Sequence, residues 1–312
     1  MEELSEQQQE QPAGPRVSVI VASFHRAAML RRCLEALEKS EDKERCQIIV
    51  LDIGTHDTTS AWDLDFPQIT FLRMPRNFGV TKALNIGIRS AKAQLLLFLD
   101  PAIEVQTDTI GRLATVLEDH KEAVAACPLL LDRDGAPVPQ VRALPDRVSL
   151  WRAWQKEDAI SVHPPSSTEE MIPVEFPGLR AILVWRTFLK GMNYFDERYG
   201  EWGGDLELAY QIRHAGRKTL IVPSIQAIDH SGAEAALAWS SSQQAALTAD
   251  RLNGAAHFLG KRAGFFPKLL FKLQAILTTL GRALTFQRPA YNWRLFFALV
   301  SGEKIDGSQG GL

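Results

Sequence analysis

The stretch LLLFLDPAIEV, Leu95–Val105, decides how the chain is read. Its five leading residues are all apolar, the pattern of a strand buried on both faces. Asp100 ends the run and Pro101 follows. A buried strand that stops in this way carries a carboxylate to the rim of a sheet. Two residues later, where a second carboxylate would complete a metal clamp, stands Ala102.

The same alternation extends to both sides. VSVIVAS (17–23), CQIIVLD (46–52), ITFLRM (69–74) and AVAACPLLL (123–131) are short β-branched or apolar runs. Between them lie helical patterns. In residues 27–40, Met29, Leu30, Cys33, Leu34 and Leu37 recur at three- and four-residue spacing. Residues 77–91 and 108–120 read as two further helices. Repeated strand–helix–strand units predict an α/β fold, a mostly parallel central sheet flanked by helices. Ligands bind such sheets beyond the carboxyl ends of the strands. Asp52 and Asp100 both stand at such ends, so one crevice is expected to gather them.

Composition narrows the function classes. Hydrophobic residues make up 46% of 312 and charged residues 23%, with a formal net charge of -2. That suits a globular chain and carries no basic excess, so no nucleic-acid partner is expected. Cys33, Cys46 and Cys127 are scattered, without a CxxC pair, as in a reducing cytoplasmic compartment. Residues 1–15 are polar and Gln-rich and read as a disordered tail. There is no uninterrupted apolar run of about 18 residues, so no membrane-spanning helix is expected.

Residues 132–170 are rich in Pro, Asp and Ser and read as a turn at Asp134-Gly135 followed by a long loop or lid. Order resumes with the strands AILVW and TLIVP and, between them, the helix DLELAYQIRHAG. Asp205 opens that helix after Gly203-Gly204, as an N-cap or as a base beside a sharp turn. His230 follows the last strand in IDHSG. Beyond about residue 244 the chain reads as helical. Leu269, Leu273, Ile276, Leu280 and Leu284 form one stripe there. It fits packing on the domain or on a second subunit (a homodimer through 265–300), or an interfacial helix on a membrane surface.

Six segments, in order, resemble glycosyltransferase family 2: VSVIVASFHR, VLDIGTHDTT, NFGVTKALNIGI, LLLFLDPAIEV, NYFDERYGEWGGDLELAYQIRHAGRK, and the pair IDHSG with RLNGAAHFLGK. The closest variety is the rhamnosyltransferase-like branch. The resemblance implies a GT-A fold over residues 16–260, with 261–312 as a C-terminal helical extension. It implies an inverting transfer from a nucleotide-diphosphate sugar, of the dTDP-rhamnose or UDP-sugar type. The acceptor would be a saccharide or lipid-linked saccharide of the cell envelope, and the enzyme cytoplasmic or peripheral at the inner face of the membrane.

By the same resemblance Asp205 is the general base. Ser23, Phe24, Arg26, Asp52, Asp57, Asn77, Gly79, Lys82 and Asp100 line the nucleotide-sugar site, and Asp100 and His230 face a divalent cation, Mn2+ or Mg2+. Ala102 breaks that metal motif, Gly204 replaces the Glu before the base, and Glu207 replaces the following Asp. Three outcomes are open: a weakly held metal, a metal-free enzyme that uses Arg180, Arg76 or Lys82, or a catalytically silent domain that binds a nucleotide sugar or a protein partner. A nucleotidyltransferase should open on a glycine-rich phosphate loop, and VASFHRAAML has no glycine.

Overall fold

The computed structural model describes residues 14–24, 26–53, 59–155, 161–162, 170–231, 240–303 and 305. Most of the expected 1–15 tail lies outside them. The chain begins with β1 (Val17–Ser23), α1 (Ala27–Glu38) and β2 (Cys46–Asp52), followed by the short α2 (Trp62–Asp65) and β3 (Thr70–Arg73). Then come α3 (Val80–Ser90), β4 (Leu95–Leu99), β5 (Ile103–Val105), α4 (Thr109–Asp119) and β6 (Ala123–Leu131). β1 pairs in parallel with both β2 and β4, and β2 with β3. This is the parallel core that the sequence predicts.

The second half departs from a simple parallel order. Between β4 and β6 lies β10 (Ala181–Trp185), antiparallel to both. The long β11 (Lys218–Asp229) runs parallel to β6, and it holds β5 and β9 (Ile172–Val174) antiparallel. Residues 132–170 hold more than a loop. They include β7 (Val141–Arg142), α5 (Arg147–Gln155) and β8 (Ser161–Val162). Their Pro and Ser content hid the helix, whose apolar face is weakly patterned and buries only Leu150.

Side-chain alternation sorts β1 between two layers. Val17, Val19 and Val21 face a core shared with α1 and α4. Ile20 faces the other, shared with α3, α6 (Arg186–Gly191) and α7 (Gly204–His214). Burying each such side chain is worth about 1.5–3 kcal/mol, so a one-residue slip of β1 would expose a whole row.

A third core joins α7 to the C-terminal helices α8 (Ser241–Arg262), α9 (Phe265–Leu284) and α10 (Pro289–Ser301). Helix α8 continues through the expected boundary at 260. Its last two residues, Lys261 and Arg262, bind Glu207 of α7. The C-terminal helices are thereby fastened to α7 by buried charge as well as apolar contact.

Candidate active site

The carboxyl ends of β1, β2 and β4 lie together, as the parallel register requires. Ser23 pairs with Asp52 across β1 and β2, and β4 delivers Asp100 next door. Asp52 is fully buried and accepts the Thr59 hydroxyl. Ser23 is also buried, and its hydroxyl has no hydrogen-bond partner among the described residues. Phe24 packs on the core beneath. Asp57 lies outside the described residues.

Asp100 takes the Ala102 N–H at 2.8 Å on Oδ1. The same carboxylate takes Arg26 Nη1 at 3.2 and 3.3 Å. Arg26 therefore reaches from the turn after β1 to the end of β4. Arg180, the residue before β10, gives its carbonyl to the Asp100 N–H at 2.7 Å, and its side chain pairs with buried Asp229. Burial lowers the Arg180 guanidinium pKa, and the like charges of Arg142 and Arg26 add to this. Asp100 acts against them. Three arginines and Asp100 thus lie within electrostatic reach of one another.

His230 sits against Ala102, donating its N–H to the Ala102 carbonyl at 2.9 Å. Arg133 Nε donates to His230 Nδ1 at 2.9 Å, and Nε2 meets Glu104 at 2.7 Å. With Nδ1 accepting, the ring proton is on Nε2 and points at Glu104. A metal would need one of these lone pairs, and Nδ1, the only one present, is engaged by Arg133. Ala102 has no donor oxygen, although hard divalent cations take oxygen ligands. Among the described residues no group of three or more His, Cys, Asp or Glu could hold a metal ion. These side chains do not fit a divalent cation held in the usual way.

Asp205 opens α7 after Gly203, whose φ of +114° lies in the left-handed region that favours glycine. A Cβ at Gly203 would come within 2.4 Å of the Tyr199 ring. Asp205 follows that tight turn half-buried, and desolvation raises its carboxyl pKa. Backbone N–H groups of the helix start and the charge of Arg142 offset part of that rise. A carboxylate with a raised pKa is a stronger proton acceptor than an ordinary aspartate.

Glu207, two residues on, behaves oppositely. Burial alone would raise its pKa, but hydrogen bonds from Gln211 and Lys261 and the charges of Lys261 and Arg262 hold it below the usual range. It accepts from Lys261 at 3.1 Å and also from Arg262. Its role is to fasten α7 to α8.

Asn77 and Gly79 build the entry to α3. Asn77 Oδ1 accepts the Gly79 N–H at 2.8 Å. A Cβ at Gly79 would meet the Gly200 backbone at 2.9 Å, and Thr81 N–H donates to the Gly200 carbonyl. Beside Asn77 lies Glu201, a buried carboxyl pushed up to about 7. Burial is the main cause and Asp250 adds to it, while Asn77 and Arg26 act against them. Lys82 and Arg76 flank the Phe78 ring at 4.7 and 5.1 Å. Of Arg180, Arg76 and Lys82, the cations considered from sequence for the diphosphate, Arg180 is the one whose charge reaches Asp100. Arg133, Arg142 and Glu201 escaped the reading. The two arginines lie in the segment taken for a lid, and Glu201 shows its burial only in three dimensions.

Residues 18–162 match the family described as "Glycosyl transferase family 2". Over that stretch the chain is similar to glycosyltransferase family 2, the family its motifs resemble. Among its relatives, the dTDP-rhamnosyl transferase RfbF of Shigella flexneri is 30% identical over 104 residues, 32% of this chain and 35% of that protein. An N-acetylglucosaminyl-diphospho-decaprenol L-rhamnosyltransferase of Mycobacterium tuberculosis is 22% identical over 231 residues, 68% of this chain and 75% of the relative. The chain spans only about a third of the length of several curated relatives. A solved structure of GalNAc-T7 with UDP, GalNAc and Mn2+ superposes with a TM-score of 0.59 at 17% identity, covering 93% of this chain and 56% of that one. The fold is GT-A.

Proposed function

We propose that this chain is an inverting transferase of family 2. It moves a sugar from a nucleotide-diphosphate sugar to a saccharide or lipid-linked saccharide acceptor. The observation that carries the proposal is Asp205 at the start of α7: the charge of Arg142 reaches both Asp205 and Arg180, Arg180 in turn feels Asp100, and burial raises the Asp205 carboxyl pKa. In a single displacement the acceptor hydroxyl gives its proton to Asp205 while its oxygen bonds to the anomeric carbon. The bond from that carbon to the diphosphate oxygen breaks on the opposite face. A nucleoside diphosphate leaves, and the configuration at carbon is inverted.

The leaving diphosphate needs positive charge. Arg26, Arg142 and Arg180 supply it in this reading. Arg26 is 39% exposed and only loosely held by Asp100, so it can exchange a carboxylate for a phosphate oxygen. Ser23, Phe24, Asp52, Asn77 and Lys82 remain the nucleotide-side residues of the proposal. The rhamnosyltransferase relatives favour a dTDP-rhamnose donor, and the GalNAc-T7 likeness keeps a UDP-sugar in play. A cell-envelope acceptor and a cytoplasmic site at the inner face of the membrane are part of the proposal, and the diphospho-decaprenol in the name of the mycobacterial relative supports them.

The test is a panel of dTDP-, UDP- and GDP-sugars scored for transfer or hydrolysis, with and without Mn2+ or Mg2+, in the native chain and in Asp205→Asn. Turnover that Asp205→Asn abolishes and that chelation leaves intact supports the reading. Nucleotide-sugar binding without turnover under every condition overturns it in favour of a silent binding domain.

A further inference from the structure

Helices α9 and α10 reverse the usual amphipathic rule. The side of α9 turned to the protein carries Phe271, Ala275, Thr279 and Ala283, mostly small and four residues apart. Of the stripe read from the sequence, Leu269, Leu273 and Leu284 are exposed, while Ile276 packs on the third core and Leu280 is half-buried. Phe266 is 80% and Leu277 64% exposed. Helix α10 does the same. Asn292, Leu295, Ala298 and Leu299 are buried, while Trp293, Phe297 and Val300 are exposed at four- and three-residue spacing. The two helices pack on each other and on α8, so the outward rows belong to one docked unit.

Charge singles out the same segment. Residues 251–302 contain eight Lys or Arg and no Asp or Glu. The whole chain has 35 basic and 37 acidic residues, so the remainder holds 35 − 8 = 27 basic against 37 acidic. A chain of net charge -2 is thus divided into a segment of +8 and a remainder of -10. Within α9, Lys268 and Lys272 lie close enough that the charge of Lys268 adds to burial in lowering the Lys272 pKa. No described helix is long and apolar enough to cross a membrane.

We infer that α9 and α10 form a docking face for an anionic lipid bilayer. Phe266, Leu270, Leu273, Leu277, Trp293 and Phe297 enter the headgroup–acyl boundary, and Lys268, Lys272, Arg282 and Arg288 meet the lipid phosphates, whereas Lys261, Arg262 and Arg294 are engaged by Glu207 and Glu303. Large apolar side chains, a basic rim and no acidic residue form the pattern by which a helix lies in the interface plane. Exposed aromatic rings suit that depth because one side is apolar and the rim is wet. A second copy of this chain would answer the apolar rows, but it would set two segments of the same strong positive charge face to face. The bilayer satisfies both features at once. This inference stands apart from the transferase reading.

The test is co-sedimentation of the full chain with phosphatidylcholine vesicles, with and without phosphatidylglycerol. The chain is expected to pellet with the anionic vesicles and to be released by high salt. Lys268→Gln should weaken binding about fivefold. The triple variant Phe266→Glu, Leu277→Glu and Phe297→Glu should remove it while keeping the native melting transition, since all three side chains already face solvent. Light scattering runs alongside. Failure of the wild-type chain to bind either vesicle overturns the inference. So does a stable dimer that the triple variant converts to monomer without any vesicle binding. A folded triple variant that binds as well as wild type overturns it too.

Discussion

Two charge networks in this molecule use the same chemistry to opposite ends. Around Asp196 and Glu207 the carboxylates are 14% and 4% exposed, and Arg198, His257, Lys261 and Arg262 close on them from several directions. At Asp100 the carboxylate itself is more open: Asp100 is 32% exposed and its partner Arg26 39%. The first network cannot exchange partners without opening the fold. The second can, because solvent and ligand reach it. A buried pair fastens, whereas a half-open pair can be displaced by a better anion.

The largest expected effect breaks the comparison at α7, where Asp205 and Glu207 stand two residues apart. Asp205→Asn should lower kcat/KM for transfer by about 10²–10⁴ with little change in melting temperature. Glu207→Gln should do the reverse, leaving the folded enzyme's rate within a few-fold and lowering stability. Equal losses of rate in both variants would show that Asp205 has no special role.

Next in size is Arg26→Ala. Its ion pair is half-exposed, so the stability change should stay below about 1 kcal/mol. If Arg26 meets the leaving diphosphate, kcat/KM should fall by about 10². A rate that Mn2+ restores in this variant would sharpen the point, because it would identify the lost group as a positive charge.

Much of this was legible in the sequence. The parallel core followed from Val17, Val19 and Val21 alternating with Ile20 and from Asp100 ending an apolar run. Those signals are local, and burial on both faces of a strand leaves them little freedom. The antiparallel insertion of β10 between β4 and β6 was not legible, since nothing in AILVW encodes which neighbours it pairs with. Helix α5 was hidden because only Leu150 of it is buried. Glu201 and Arg142 became visible as site neighbours only when distant segments met. The stripe on α9 was legible as a pattern, with its direction left open between protein and membrane: periodicity reports that one face is apolar and cannot say whether protein or something else covers it.

A smaller effect tests the fastening network itself. Arg262→Ala leaves Glu207 with Lys261, so the loss is partial, about 1–3 kcal/mol by denaturant titration. The variant should also loosen α8 from α7, read as faster hydrogen exchange over residues 255–262. An unchanged denaturation midpoint would mean that the apolar third core alone holds the extension.

The smallest effect, and the one that separates the networks in a single sample, is pH. As the proposed base, Asp205 acts only when deprotonated, and burial raises its pKa above the ordinary aspartate value. Activity should therefore decline as pH falls, with a midpoint above 3.8, the ordinary aspartate value. Asp196 and Glu207 are shifted the other way, their folded pKa values lowered. Their contribution to stability is fully present above the ordinary carboxylate range and is lost only as pH falls through the lowered folded values. On acidification, activity should disappear while the melting temperature still holds, and the fold should weaken only at lower pH. If both declined together, the activity midpoint would be reporting unfolding. The assignment of the acid limb to Asp205 would then have to be given up.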